Sequence, residues 1–69
     1  MVYRLKEDSV LVPFARKPNT EIPWDKFWFS QGTYLIFHSE LTPGSTLVLL
    51  LTPQGDLVFT SMDRLEIVR

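Results

Sequence analysis

The sequence predicts one all-β domain, residues 1-69, of five mostly antiparallel strands. Branched and aromatic residues gather in short runs, and turns containing proline or glycine separate those runs. The composition, 45% hydrophobic and 13% aromatic, is that of a packed chain and not of a disordered one. The closing stretch "DLVFTSMDRLEIV" reads as strand, single helical turn and strand. With 69 residues and no cysteine there is no disulfide staple, and a core of this size supplies only a few kcal/mol. Stability must come from packing or from a partner.

Taken in order, "DSVLVPF" (8–14) is a strand ending at Pro13, because proline has no N–H for a ladder. "ARKPNTEIPWDK" (15–26), punctuated by Pro18, Asn19 and Pro23, is a long polar loop. In "FWFSQGTYLIFHSEL" (27–41) a strand runs from about Thr33 to Ser39. A shorter extended piece precedes it, and Gly32 marks a bend. "TPGS" (42–45) is a turn, "TLVLLLT" (46–52) a buried type of strand, and "PQGD" (53–56) a tight hairpin turn. "LVFTS" is the next strand. "SMDR" then makes one 3₁₀ turn, capped by Ser61 with Asp63 in its first turn, and "LEIV" pairs again. A competing reading makes "PWDKFWF" a short amphipathic helix that buries Trp24, Phe27 and Trp28 together, with Pro23 at its first position.

Strand, long loop, strand, turn, strand, tight hairpin, strand, single turn and strand resembles the SH3-like small β-barrel. "KFWFSQGTYLIF" is similar to that family's diverging turn, and "LVFTSMDRLEIV" to its closing segment. The resemblance implies a five-stranded barrel with a long loop after the first strand and a 3₁₀ turn before the last. It puts Phe27, Phe29, Leu35, Phe37 and Phe59 in the core, Gly32 at the turn, and the last strand beside the first. The ligand-binding residues of signalling SH3 domains are missing. "VLVPF" lacks the tyrosine, Thr46 and Leu47 stand in place of the tryptophan, Thr60 stands in place of the proline, and "RKPNTEIPWDK" has no acidic cluster. The barrel therefore carries over, and the PxxP ligand does not.

Charge and motif content narrow the function. Seven Lys and Arg against eight Asp and Glu leave a formal net charge of -1, with no long run of like charge, so the basic stripe of a nucleic-acid binder is missing. His38 is the only histidine and there is no cysteine, so no metal site is expected, and no cofactor. Gly32, Gly44 and Gly55 are isolated and make no phosphate loop. His38, Ser39 and Glu40 are strand neighbours whose side chains alternate between faces, so they form no relay. Asp63 and Glu66 read as capping and solvated charges. A non-catalytic role follows. The charged start "MVYRLKEDS" is no signal peptide and "LVLLL" is too short to span a bilayer, so a soluble cytoplasmic protein is expected.

From Phe27 through Gly55 only one formal charge, Glu40, appears. If Phe27, Phe29, Leu35 and Phe37 point inward, period two sends Trp28, Tyr34 and Ile36 outward. Either Leu47, Leu49 and Leu51 or Val48 and Leu50 join them. Such a patch has the composition of a protein contact. The candidate contact residues are Trp28, Tyr34 and Ile36, with Trp24, Arg16 and Lys17 at the rim. The function read from this is a protein-interaction module, an accessory subunit, adaptor or inhibitor docking on a larger protein. A small nucleic-acid-binding barrel with exposed aromatics, a self-associating subunit and a small-molecule pocket are the alternatives. A fold-back of "MVYRL" and the long loop over this face would remove the patch.

Overall fold

In the computed structural model, which describes residues 1–15 and 21–68, the hairpin at "PQGD" organises the largest sheet. The Gly55 N–H donates to the Thr52 carbonyl at 2.9 Å, and Gly55 itself sits at φ +90°, a conformation open to glycine but strained for a side chain. On either side run β6 (Leu47–Leu51) and β7 (Leu57–Ser61), paired antiparallel from Leu51↔Leu57 to Leu47↔Ser61. The other strands are β1 (Val2–Leu5), β2 (Ser9–Val10), β3 (Val12–Pro13), β4 (Trp28–Phe29), β5 (Tyr34–Glu40) and β8 (Leu65–Ile67). One sheet has the order β3-β7-β6-β5-β1-β8, and β2 and β4 form a second, two-stranded sheet. All pairings are antiparallel, and the larger sheet is open, with β3 and β8 as its edges.

Alternation along the strands sends Tyr3, Leu5, Leu35, Val48, Leu50, Val58 and Leu65 to one face of the large sheet. The small sheet and the chain leading to it supply the opposite wall, Leu11, Ile22, Phe27 and Phe29. Phe37 packs against this core, with its ring edge-on to Tyr3 at 6.0 Å between centroids. Leu5, Leu11, Leu35, Leu50 and Val58 are fully buried, and each such side chain contributes about 1.5–3 kcal/mol. No buried side-chain polar atom among the described residues lacks a partner.

Three features of the expected strand plan change. "DSVLVPF" divides at Leu11, so β2 joins the small sheet and β3 the large one. The division follows from Leu11, fully buried, whose N–H leaves the ladder for the Phe27 carbonyl at 2.9 Å. The N-terminal "MVYRL" does not fold over a sheet face. It is β1, an interior strand between β5 and β8, and it is β1 that the last strand joins. Phe59 faces away from the core, because Val58 and Thr60 beside it are the buried residues of β7. The short "PWDKFWF" helix is realised in part. Trp24–Phe27 form a 3₁₀ turn after Pro23, which buries Phe27 alone and leaves both tryptophans exposed.

The closing segment follows its local chemistry. Met62–Arg64 form a 3₁₀ turn, and the Ser61 hydroxyl accepts from the Asp63 N–H at 3.3 Å. The "TPGS" turn closes through the Ser45 N–H to the Thr42 carbonyl at 3.0 Å, with the Glu40 carboxylate accepting from the Gly44 N–H.

Candidate functional site

Residues directly opposite one another on paired strands share a face. The register therefore defines what lines the side of the large sheet turned away from the core. Val2 stands opposite Ile36, Ile36 opposite Leu51, and Leu51 opposite Leu57. At the two ends, the Phe14 N–H donates to the Leu57 carbonyl and the Val68 N–H to the Val2 carbonyl, both at 3.0 Å. The result is an apolar row across all six strand positions: Phe14, Leu57, Leu51, Ile36, Val2 and Val68. A second row, Val12, Phe59, Leu49 and Ser39, runs beside it. Leu47 extends the patch one residue pair further along β6.

Leu49 shows how dense this surface is. It is only 7% exposed although it lies outside the core cluster, so this part of the face is already hidden from water. Ile36, at the centre of the first row, is 53% exposed. Along one border the row Tyr34, Arg4 and Glu66 carries the only charged side chains that the six strands place on this face. These two cancel, since Arg4 Nε donates to Glu66 Oε1 at 2.8 Å. The hydrogen bond to Glu66, then its negative charge, holds the Arg4 guanidinium above the ordinary arginine range, and Tyr34 adds in the same direction.

The sequence-derived candidates separate into two groups. Tyr34, 55% exposed, and Ile36 both lie on the outer face of β5. Trp28, 52% exposed, lies in the small sheet opposite exposed Val10 and so belongs to a different surface. Trp24 sits on the first 3₁₀ turn, where it lines an open depression of about 420 Å³ with Glu21, Ile22, Pro23 and Asp25. Arg16 and Lys17 lie outside the described residues. Most of the outer-face residues were not singled out from sequence. For β6 two alternating sets were equally apolar, and Val2, Val12 and Phe14 join the patch only through cross-strand register.

Two other polar groupings bear on chemistry. The ladder between β5 and β6 slips at His38, and this bulge brings His38 Nδ1 within 3.1 Å of Ser39 Oγ. A regular strand would have put the two side chains on opposite faces, as expected from sequence. Both groups are at the surface, and the Glu40 carboxylate is turned to Gly44. The Lys26 ammonium lies 3.7 Å from the Asp56 carboxylate and 5.7 Å from the centre of the Phe27 ring. Among the described residues no cluster of three metal-ligating side chains occurs. No helix among them is long and apolar enough to cross a membrane.

The fold and site together define a small all-β domain with an apolar, charge-neutral outer sheet face. Protein-family models, curated proteins and solved structures contain no match to this chain.

Proposed function

We propose that this chain is a diverged SH3-like small barrel that acts as a non-catalytic protein-interaction module, an accessory subunit, adaptor or inhibitor docking through the outer face of its large sheet. The barrel reading is supported by a long excursion before β5, the tight β6–β7 hairpin and the single 3₁₀ turn before β8; β8 itself joins Val2–Leu5 and not the 8–14 segment that the resemblance makes the first strand. The functional reading rests above all on one observation, the uninterrupted apolar row from Phe14 to Val68. Phe14, Ile36 and Val2 of this row are exposed and Leu57, Leu51 and Val68 half-buried; exposed apolar side chains of this kind are what a protein contact desolvates, and Tyr34 at the border adds an aromatic anchor.

A photo-crosslinking residue placed at Ile36 tests the docking face in the cells that make the protein. The expected outcome is discrete protein adducts from Ile36 and none from Gln54, an exposed polar control in the hairpin turn. Equal crosslinking from both positions would sink the assignment of this face.

A further inference from the structure

The two edges of the large sheet differ in the backbone groups they present. On β3 the Phe14 N–H donates to the Leu57 carbonyl. Bonded and non-bonded pairs alternate along an antiparallel ladder, so Phe14 and Val12 bond to β7 and Pro13 turns to the free side. Proline has no N–H to offer there, and the Leu11 N–H before it is taken by the Phe27 carbonyl at 2.9 Å. That edge is blocked.

The β8 edge is not. The Val68 N–H donates to the Val2 carbonyl and the Lys6 N–H to the Arg64 carbonyl, both at 3.0 Å. The same alternation bonds Glu66 to Arg4 and turns the backbone groups of Leu65 and Ile67 away from β1. The Leu65 N–H is used within the 3₁₀ turn, by the Met62 carbonyl. The Leu65 carbonyl and the Ile67 N–H and carbonyl are left without a backbone partner among the described residues, on a strand with neither proline nor bulge. The side chains agree. Ile67 stands opposite Tyr3 and so points to the core side, yet Tyr3 is 5% exposed and Ile67 51%.

Open backbone groups in line and an uncovered apolar side chain beside them are complementary to one object, an extended peptide with an apolar residue next to Ile67. In an antiparallel segment one residue exchanges two bonds with Ile67, and the residue two further on donates to the Leu65 carbonyl, so all three groups are satisfied. A second β8 turned about a twofold axis at Ile67 suits the edge less well. It would set the two Glu66 carboxylates as diagonal neighbours on one face.

We infer that the free edge of β8 binds an extended segment of another protein by strand addition, antiparallel to β8 and with an apolar side chain over Ile67. This contact is separate from the outer face, and neither depends on the other.

Amide NMR during titration with capped heptapeptides that alternate threonine with valine tests it. In the free chain the Ile67 amide is expected to exchange freely and the Val68 amide to be protected. Added peptide should slow Ile67 exchange several-fold and shift the Glu66 and Val68 amides. Ile67→Pro gives β8 the block that Pro13 gives β3, and should abolish those shifts with an unchanged circular dichroism spectrum. Ile67→Ala keeps the N–H and should weaken binding without abolishing it. Ile36→Lys, on the outer face, should bind peptide like the unaltered chain. An Ile67 amide already protected in dilute free protein, no shifts at β8, or shifts that persist in Ile67→Pro each overturn the inference. Protection that appears on concentrating the protein alone assigns the edge to a second copy and overturns the partner strand. Shifts confined to the surroundings of Ile36 overturn the edge site and leave the docking face standing.

Discussion

Leu49 and Leu50 are chain neighbours of identical chemistry that serve opposite faces of one sheet. Leu50 is fully buried, enclosed between the large sheet and the wall of Leu11, Ile22, Phe27 and Phe29. Leu49 is almost as well hidden from water, at 7% exposed, but stands outside that core cluster. The two faces therefore differ in kind. The inner one is closed by Leu11, Ile22, Phe27 and Phe29, and the outer one leaves Val2, Phe14, Tyr34 and Ile36 exposed. A buried apolar residue is thus not always a core residue, and the distinction decides which surface is left for a partner.

The largest expected effect falls on the inner face. Leu50→Ala should cost about 2–5 kcal/mol, because the removed atoms leave a cavity enclosed on both sides. In a domain whose total stability is only a few kcal/mol this leaves little folded protein, which urea denaturation followed by circular dichroism would show. Leu49→Ala should cost less, about 1–2 kcal/mol, since its neighbours and water can fill the space. Equal losses at the two positions would erase the distinction between the faces.

Gly55→Ala ranks next, at about 1–2 kcal/mol, through the positive φ that the β6–β7 hairpin imposes, even though the space around its missing Cβ is open. It should weaken both faces together by loosening the register that defines them, seen as faster amide exchange along β6 and β7. Ser61→Ala removes the cap of the second 3₁₀ turn and should cost about 0.5–1 kcal/mol, detectable as a lower urea midpoint.

The smallest effect belongs to the ion pair at the border of the outer face. Arg4→Gln should leave the midpoint almost unmoved, since both partners are solvent-exposed, and added salt should shrink the remaining difference. Its pH dependence has a definite sign. A base whose affinity for its proton rises on folding stabilises the fold at all pH values below its unfolded range and loses that contribution as pH rises through the raised value. For Arg4 that window is strongly alkaline, so the difference between Arg4→Gln and the unaltered chain should be the same in neutral and mildly alkaline buffer.

The local grammar of the chain was legible wherever one residue forces a backbone conformation or a strand alternates cleanly. Gly55 and the "PQGD" turn, the Ser61 cap, and the inward set of Phe27, Phe29 and Leu35 follow from such signals. Of the candidate contact residues, Tyr34 and Ile36 follow from the same alternation along β5 and meet on the outer face. Trp28 obeys the alternation as well, but it belongs to another sheet, which alternation within one strand cannot reveal. His38 and Ser39 depart from it because a bulge adds a residue to one strand without changing composition.

By itself the sequence determined that this protein is all-β, where its tight turns fall, and that its middle segment is too apolar for a sheet with one wet face. Those properties depend on neighbours in the chain, through backbone sterics and period-two geometry. Only the tertiary structure decided that "MVYRL" is an interior strand, that β3 and β8 are the sheet's edges, and that Leu47, Leu49 and Leu51 turn outward while Leu50 closes the core. In "LVLLL" both faces of the strand are apolar, so alternation cannot choose between them. The choice belongs to the register with β5 and β7 and to the one side on which Leu11, Ile22, Phe27 and Phe29 can form a second layer.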